Sequence, residues 1–210
     1  MTPQRALPRL LVLTDRAQLR LGRGLVRTVG ECVEAGLTHV VLRELDLPDE
    51  RRAALAAALV EVGATVIAAH RPLPGAVGVH VASAAVTGGN RPFDTLPDGC
   101  NGQAPHRKDG YPSGRSCHSR DDIAAAAAAG ADYATLGPFG PSASKPGYGP
   151  PRPLTELHGH SIPVYALGGV TATNAEDMLD AGAYGVAVMG AVMRASDPTA
   201  VVRDLLAVTG

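Results

Sequence analysis

The sequence has little cysteine, no excess of either charge and no long apolar run, and each shortage removes a class of protein. Its three cysteines, Cys32, Cys100 and Cys117, stand far apart in 210 residues and never as a C-x-x-C pair. That spacing suits neither a disulfide framework nor a zinc ribbon, and it points to a reducing cytoplasm. Nineteen basic and 20 acidic residues are interspersed and leave a formal net charge of −1. Such a balance gives no footprint for nucleic acid or an anionic membrane, so the expected partner is a small molecule. The first apolar run, Leu10 to Leu13, breaks at Thr14-Asp15-Arg16. It is too short for a signal-peptide core or a membrane span, and the protein is expected not to be exported.

What is present is an alternation of short apolar runs with alanine-rich stretches. The runs lie at 10–14, 39–43, 65–69, 78–82, 114–118, 133–137, 163–168 and 185–190. Several lack an apolar/polar alternation, as strands buried on both faces of a parallel sheet do. Stretches 23–36, 47–63, 119–130 and 171–182 read as helices, with Ser, Asp or Thr at N-caps and Gly just past their ends. Ala35-Gly36, Ala129-Gly130 and Ala181-Gly182 each end a helix shortly before a strand, a weak internal repeat of one β/α unit.

With 45% hydrophobic residues the chain can bury one sizeable core, and it is expected to be a single domain over 1–210. Eight strands with helical crossovers predict a compact α/β (β/α)8 TIM barrel, with an open doubly wound sheet as the alternative. Residues 84–113 are rich in Gly, Pro, Asn and Asp where the fourth crossover helix should be. A flexible loop in place of a degenerate helix is expected there, with a functional lid as the other reading.

In a barrel the catalytic groups sit at the C-terminal ends of the strands, and phosphate is often held at the exits of strands seven and eight. Those exits read Gly168-Gly169-Val170 and Met189-Gly190-Ala191. A pair of glycines there lets backbone N–H groups come close to an anion; tight turns are the plainer alternative.

The segments "LTDR", "VVLREL", "GVHV", "GRSCHS", "GADYATLGPF", "SASKPG", "PVYALGGV" and "AGAYGVAVMGAV", in this order, resemble the thiamine phosphate synthase and thiazole tautomerase superfamily. The resemblance implies a barrel that binds a thiazole phosphate at the seventh and eighth strand exits. In the synthase this is joined to an aminopyrimidine carried as a diphosphate with Mg²⁺. It also implies roles for Arg43 and Lys145 toward the diphosphate, for Ser116 near the pyrimidine and diphosphate, and for Gly168, Gly169 and Gly190 toward the thiazole phosphate.

The chain departs from that pattern in the diphosphate half of the site. Val41, Leu45, Ala69 and His70 stand where the synthase has amide, ammonium, amide and carboxylate groups, and "ASAA" at 82–85 holds no carboxylate. Mg²⁺ needs oxygen ligands, so the ion is an open expectation without its usual aspartates. The tautomerase branch lacks those aspartates too, but places a histidine where this chain has Pro138. Candidate catalytic groups are therefore Ser116, His70, His80 and His118, the histidines serving as acid or base near the mouth, as hydrogen-bonded barrel residues, or as a three-histidine metal site. Arg16 and Arg115 read as rim charges, and Asp15 alone makes a weak metal site. Three functions compete: a synthase with an altered diphosphate site, a tautomerase-like enzyme, and a silent binder of a phosphorylated heterocycle. A homodimer is compatible with each.

Overall fold

The computed structural model describes residues 7–20, 22–82, 112–141 and 150–210. Its centre is a closed barrel of parallel strands in chain order. The strands are β1 Leu10–Leu13, β2 His39–Leu42, β3 Thr65–Ala69, β4 Gly78–Val81, β5 Ser113–Cys117, β6 Tyr133–Leu136, β7 Val164–Leu167 and β8 Gly185–Val188. β8 meets β1 with Val186 beside Leu10 and Val188 beside Val12. All eight expected strands are present, and closure excludes the open sheet.

A closed barrel sends alternate side chains to two different cores. Leu11, Val41, Ile67, Tyr133, Tyr165 and Ala187 fill the interior. Their neighbours Leu10, Val12, Val40, Val66, Ala134 and Val186 pack outward under the helices. Both faces are buried, which is why the runs carry so little polar alternation. The floor is sealed by three tyrosines in edge-on contact, Tyr133 on Tyr165 at 5.5 Å and Tyr165 on Tyr184 at 5.4 Å between ring centres. Tyr165 and Tyr184 donate their hydroxyls to Pro8 O and Leu7 O.

Around the barrel lie α1 Leu25–Glu34, α2 Asp49–Glu61, α3 Arg120–Ala128, α4 Ala172–Asp180, α5 Gly190–Met193 and α6 Pro198–Thr209. The first four share one ending. Gly36, Gly63, Gly130 and Gly182 have φ of 107°, 91°, 85° and 104°. The following N–H in each case bonds back to Cys32, Leu59, Ala126 or Met178. This is the 6→1 bond of a Schellman motif, and it needs a residue that tolerates the left-handed region. Ser119 caps α3 and Thr171 forms a capping box with Asn174 at α4. α1 and α2 instead start at Gly24 and Pro48 with no side-chain cap, contrary to the sequence reading.

Two details differ from expectation. α5 and α6 follow β8, and the Asp197-Pro198 pair that begins α6 supplies both an N-cap bond to Ala200 N–H and a first-turn proline. The divergent segment ends earlier than 113: Val79 N–H donates to Pro112 O and Ser113 is paired within β5. The rest of 84–113, with the expected degenerate helix, lies outside the described residues. Residues 70–77 join β3 to β4 without a helix. Among the described residues no helix is long and apolar enough to cross a membrane.

Candidate active site

The C-terminal ends of the strands open into a cavity of about 1010 Å³. Arg43, His70, His80, Ser116 and His118 line it from β2 to the exit of β5. Gly168, Gly169, Val170, Met189, Gly190 and Ala191 line it across the exits of β7 and β8. One fold thus brings together every expected site residue except Lys145, which lies outside the described residues.

The glycine pair after β7 is demanded first by the chain itself. Gly168 and Gly169 have φ of 90° and 71°. A Cβ on Gly169 would stand under 3 Å from the backbone N, Cα and C of Gly140, and one on Gly168 would touch Pro138 at 3.0 Å. The exits of β6 and β7 are also tied by Phe139 N–H to Gly168 O at 3.0 Å. Gly190 differs: it lies outside the left-handed region, and a Cβ there would overlap only the guanidinium of Arg194. Backbone geometry alone is enough to require glycine at 168 and 169, with or without the approach of an anion.

Arg194 is a residue that sequence reasoning missed. It follows Gly190 by one helical turn, and its guanidinium folds back over Gly190 and donates to Gln18 Oε1. The signal was the i,i+4 spacing, which puts both residues on one face of α5. From the other side comes Arg43, whose backbone N–H bonds Thr14 Oγ1 at 3.0 Å and whose Nη1 lies 2.6 Å from Met189 Sδ. Two guanidinium groups therefore flank Met189-Gly190.

Arg16 is a rim charge, as expected. It donates to Glu44 at 2.9 Å and to Asp46 at 2.5 Å, clasping the exit of β1 to that of β2. Glu44 is buried with φ of 28°, and it also accepts from Arg16 N–H. The same guanidinium holds the Asp46 carboxyl below the usual carboxylate range, and both carboxylates raise the pKa of Arg16.

The histidines divide in role. His80 is 4% exposed. Its Nε2 lies 2.9 Å from Ser116 Oγ and its Nδ1 3.2 Å from Tyr133 Oη. Burial, and then the nearby His70, Arg115 and Arg43, push its pKa down to about 4. Buried and hydrogen-bonded at both ring nitrogens, it is held in the neutral form near pH 7. His70 sits at the β3 exit with φ of 68°, and its pKa is lowered by burial and then by Arg52, Arg43 and Arg71. His118 turns Nδ1 toward Gly137 O at 3.4 Å, while its N–H bonds Asp122 at 2.8 Å.

Among the described residues no group of three or more His, Cys, Asp or Glu side chains is placed to hold a metal, so the three-histidine arrangement does not form there. The exits of β3 and β4 present Ala69, His70 and Ala82 to the cavity. Asp15 accepts from Ala17 N–H and Gln18 Nε2, and Glu44 is engaged by Arg16. Mg²⁺ takes oxygen ligands and keeps few protein partners, usually carboxylates. The described residues do not fit it as a dedicated ligand set.

Fold and cavity together define a (β/α)8 barrel of the kind that carries its site on the C-terminal face, with cationic side chains at the exit of the last strand. Comparison with known proteins narrows this. The sequence pattern of thiamine monophosphate synthase matches residues 107–192. A protein of Geobacter sulfurreducens, provisionally assigned as a thiamine-phosphate synthase, is 36% identical over 214 aligned positions, covering 94% of this chain and 92% of its own. The thiamine-phosphate synthase of Methanoculleus marisnigri is 34% identical over 210 positions, covering 93% and 92%. The thiamine phosphate pyrophosphorylase structure from Pyrococcus furiosus shares the fold with a TM-score of 0.73 at 24% identity, over 96% of this chain and 95% of that one. The chain belongs to the thiamine-phosphate synthase family.

Proposed function

We propose that this protein is a thiamine-phosphate synthase-like transferase that binds a thiazole phosphate at the exits of β7 and β8 and has a diverged diphosphate half-site. The observation that supports this reading is the pair Arg43 and Arg194 on either side of Met189-Gly190. A phosphate monoester set between two guanidinium groups gains charge-assisted, geometrically matched hydrogen bonds. Joining the two heterocycles requires the diphosphate to leave with its negative charge stabilised. At the cavity wall beyond Arg43, Ala69 and His70 offer little for that charge, while Val41 is buried in the barrel interior and Leu45 is exposed away from the cavity. A tautomerase-like reaction gains no support from His80, whose lowered pKa leaves it a weak proton carrier near pH 7.

Calorimetry with thiazole phosphate and with the corresponding alcohol tests the assignment. The phosphate ester should bind well and the alcohol weakly, and Arg194→Ala should weaken the ester by roughly ten- to a hundredfold, the worth of one or two hydrogen bonds to a charged group. Equal affinity for ester and alcohol would remove the basis for a phosphate site at these exits.

A further inference from the structure

Tyr133 on β6, His80 on β4 and Ser116 on β5 form a continuous line of polar side chains leading from the tyrosine floor to the cavity. Tyr133 Oη lies 3.2 Å from His80 Nδ1, and His80 Nε2 lies 2.9 Å from Ser116 Oγ. The imidazole stacks on the Tyr133 ring with 5.5 Å between centres and 26° between planes. Gly114 makes room for this stack, since a Cβ there would run into the Tyr133 ring and His80 Nδ1. Tyr133 is fully buried.

Hydrogen-bond arithmetic gives the line a direction. A buried phenol must place its one proton on an acceptor, and leaving it unplaced costs about 1–3 kcal/mol. Among the described residues the partner that the structure gives Tyr133 Oη is His80 Nδ1. If Nδ1 carried the hydrogen, it would donate to Tyr133 Oη, and the phenol proton would be left without an acceptor among the described residues. We propose that Tyr133 is a positioning residue that fixes His80 as the Nε2–H tautomer, so that His80 donates to Ser116 Oγ and Ser116 presents its own proton to the cavity as an obligatory donor. The ligand atom that meets Ser116 is then a hydrogen-bond acceptor.

Two further observations fit this polarity. Burial raises the pKa of the Tyr133 hydroxyl and lowers that of His80, so both stay neutral and the line carries no net charge to upset its direction. Thr135 stands beside Ser116 in the β5–β6 register, lines the same cavity, and has a buried Oγ1 with no hydrogen-bond partner among the described residues. A ligand edge that accepts from Ser116 would therefore reach a second hydroxyl without displacing any bond of the protein. The tautomer is a property of the chain alone; only its effect on substrate orientation rests on the function proposed above.

Nitrogen-15 NMR of the histidine side chains in the ligand-free protein at neutral pH reads the tautomer directly. His80 should show a protonated Nε2 and an unprotonated Nδ1. Tyr133→Phe keeps the ring and the stack but removes the donor, and should convert the single form into a mixture. Ser116→Ala should leave the wild-type tautomer in place, because the direction is set from the buried end. An Nδ1–H form in the wild-type protein overturns the proposal whether or not the variants fold. An unchanged single tautomer in Tyr133→Phe overturns the role given to Tyr133. Neither result bears on whether a thiazole phosphate binds at β7 and β8.

Discussion

Gly169 and Gly190 sit at neighbouring strand exits yet are required for different reasons. At Gly169 any side chain meets the Gly140 backbone and a φ of 71°. At Gly190 it meets the movable end of Arg194. Gly169→Ala should therefore lower stability by more than the roughly 1–2 kcal/mol that a left-handed conformation costs an ordinary residue. Gly190→Ala should cost less stability than Gly169→Ala, because the Arg194 side chain can move aside where the Gly140 backbone cannot, while weakening thiazole phosphate binding by displacing Arg194. Urea unfolding and calorimetry on both variants check this, and an unchanged affinity in Gly190→Ala would show that the position of Arg194 is immaterial. Both glycines were legible as special from sequence. The cause was not, because the atoms that Gly169 avoids belong to Gly140, in the loop that follows β6.

Among the elements, α2 holds the most unusual packing. Arg52, 1% exposed, sends Nη2 to Ala69 O at 2.8 Å and holds Nη1 3.5 Å from the Asp49 carboxylate, while its Nε and Nη1 have no hydrogen-bond partner among the described residues. It thus braces the end of β3 just before His70 turns into the left-handed region. Arg52→Ala should cost on the order of 2–5 kcal/mol, as buried truncations do. Arg52→Met should recover most of this, because it restores volume without a buried charge. If Met proves no better than Ala in urea unfolding, the guanidinium itself is what α2 needs. In the sequence Arg52 reads as one more helix surface charge, since its neighbours Glu50 and Arg51 are exposed. The helix ends were far easier to read: Gly36, Gly130 and Gly182 each follow an alanine and carry the left-handed turn. α6 was not among the helices read from the sequence, although Asp197-Pro198 supplies its cap and first-turn proline.

For the whole molecule, pH should report the buried histidine. An unfolded chain holds His80 near the ordinary value of 6.5, whereas the folded protein holds it at about 4. Between those values the unfolded state binds more protons, so stability is complete above pH 6.5 and falls as the pH drops toward 4. The loss from this group is roughly 3 kcal/mol at 1.36 kcal/mol per pH unit. His80→Gln should flatten that slope in urea midpoints measured across the window, and a wild-type midpoint independent of pH there would contradict a neutral buried imidazole. The barrel itself was legible because eight apolar runs and their Ala-Gly punctuation recur along the chain. Apart from Arg194, the residues around the cavity were legible as a list but not as chemistry: nothing in the sequence shows that His80 is closed between Tyr133 and Ser116.

The proposal that the diphosphate half-site has diverged has its most direct test in steady-state pyrophosphate release by the purified protein, supplied with thiazole phosphate, the aminopyrimidine diphosphate and Mg²⁺. Loss of a single electrostatic contact to developing charge typically costs about a hundred- to a thousandfold in rate. Turnover should therefore fall at least roughly a hundredfold below that of a synthase with a complete site, and a chelator should change it little. A rate equal to that of such a synthase, abolished by the chelator, would contradict the diverged half-site.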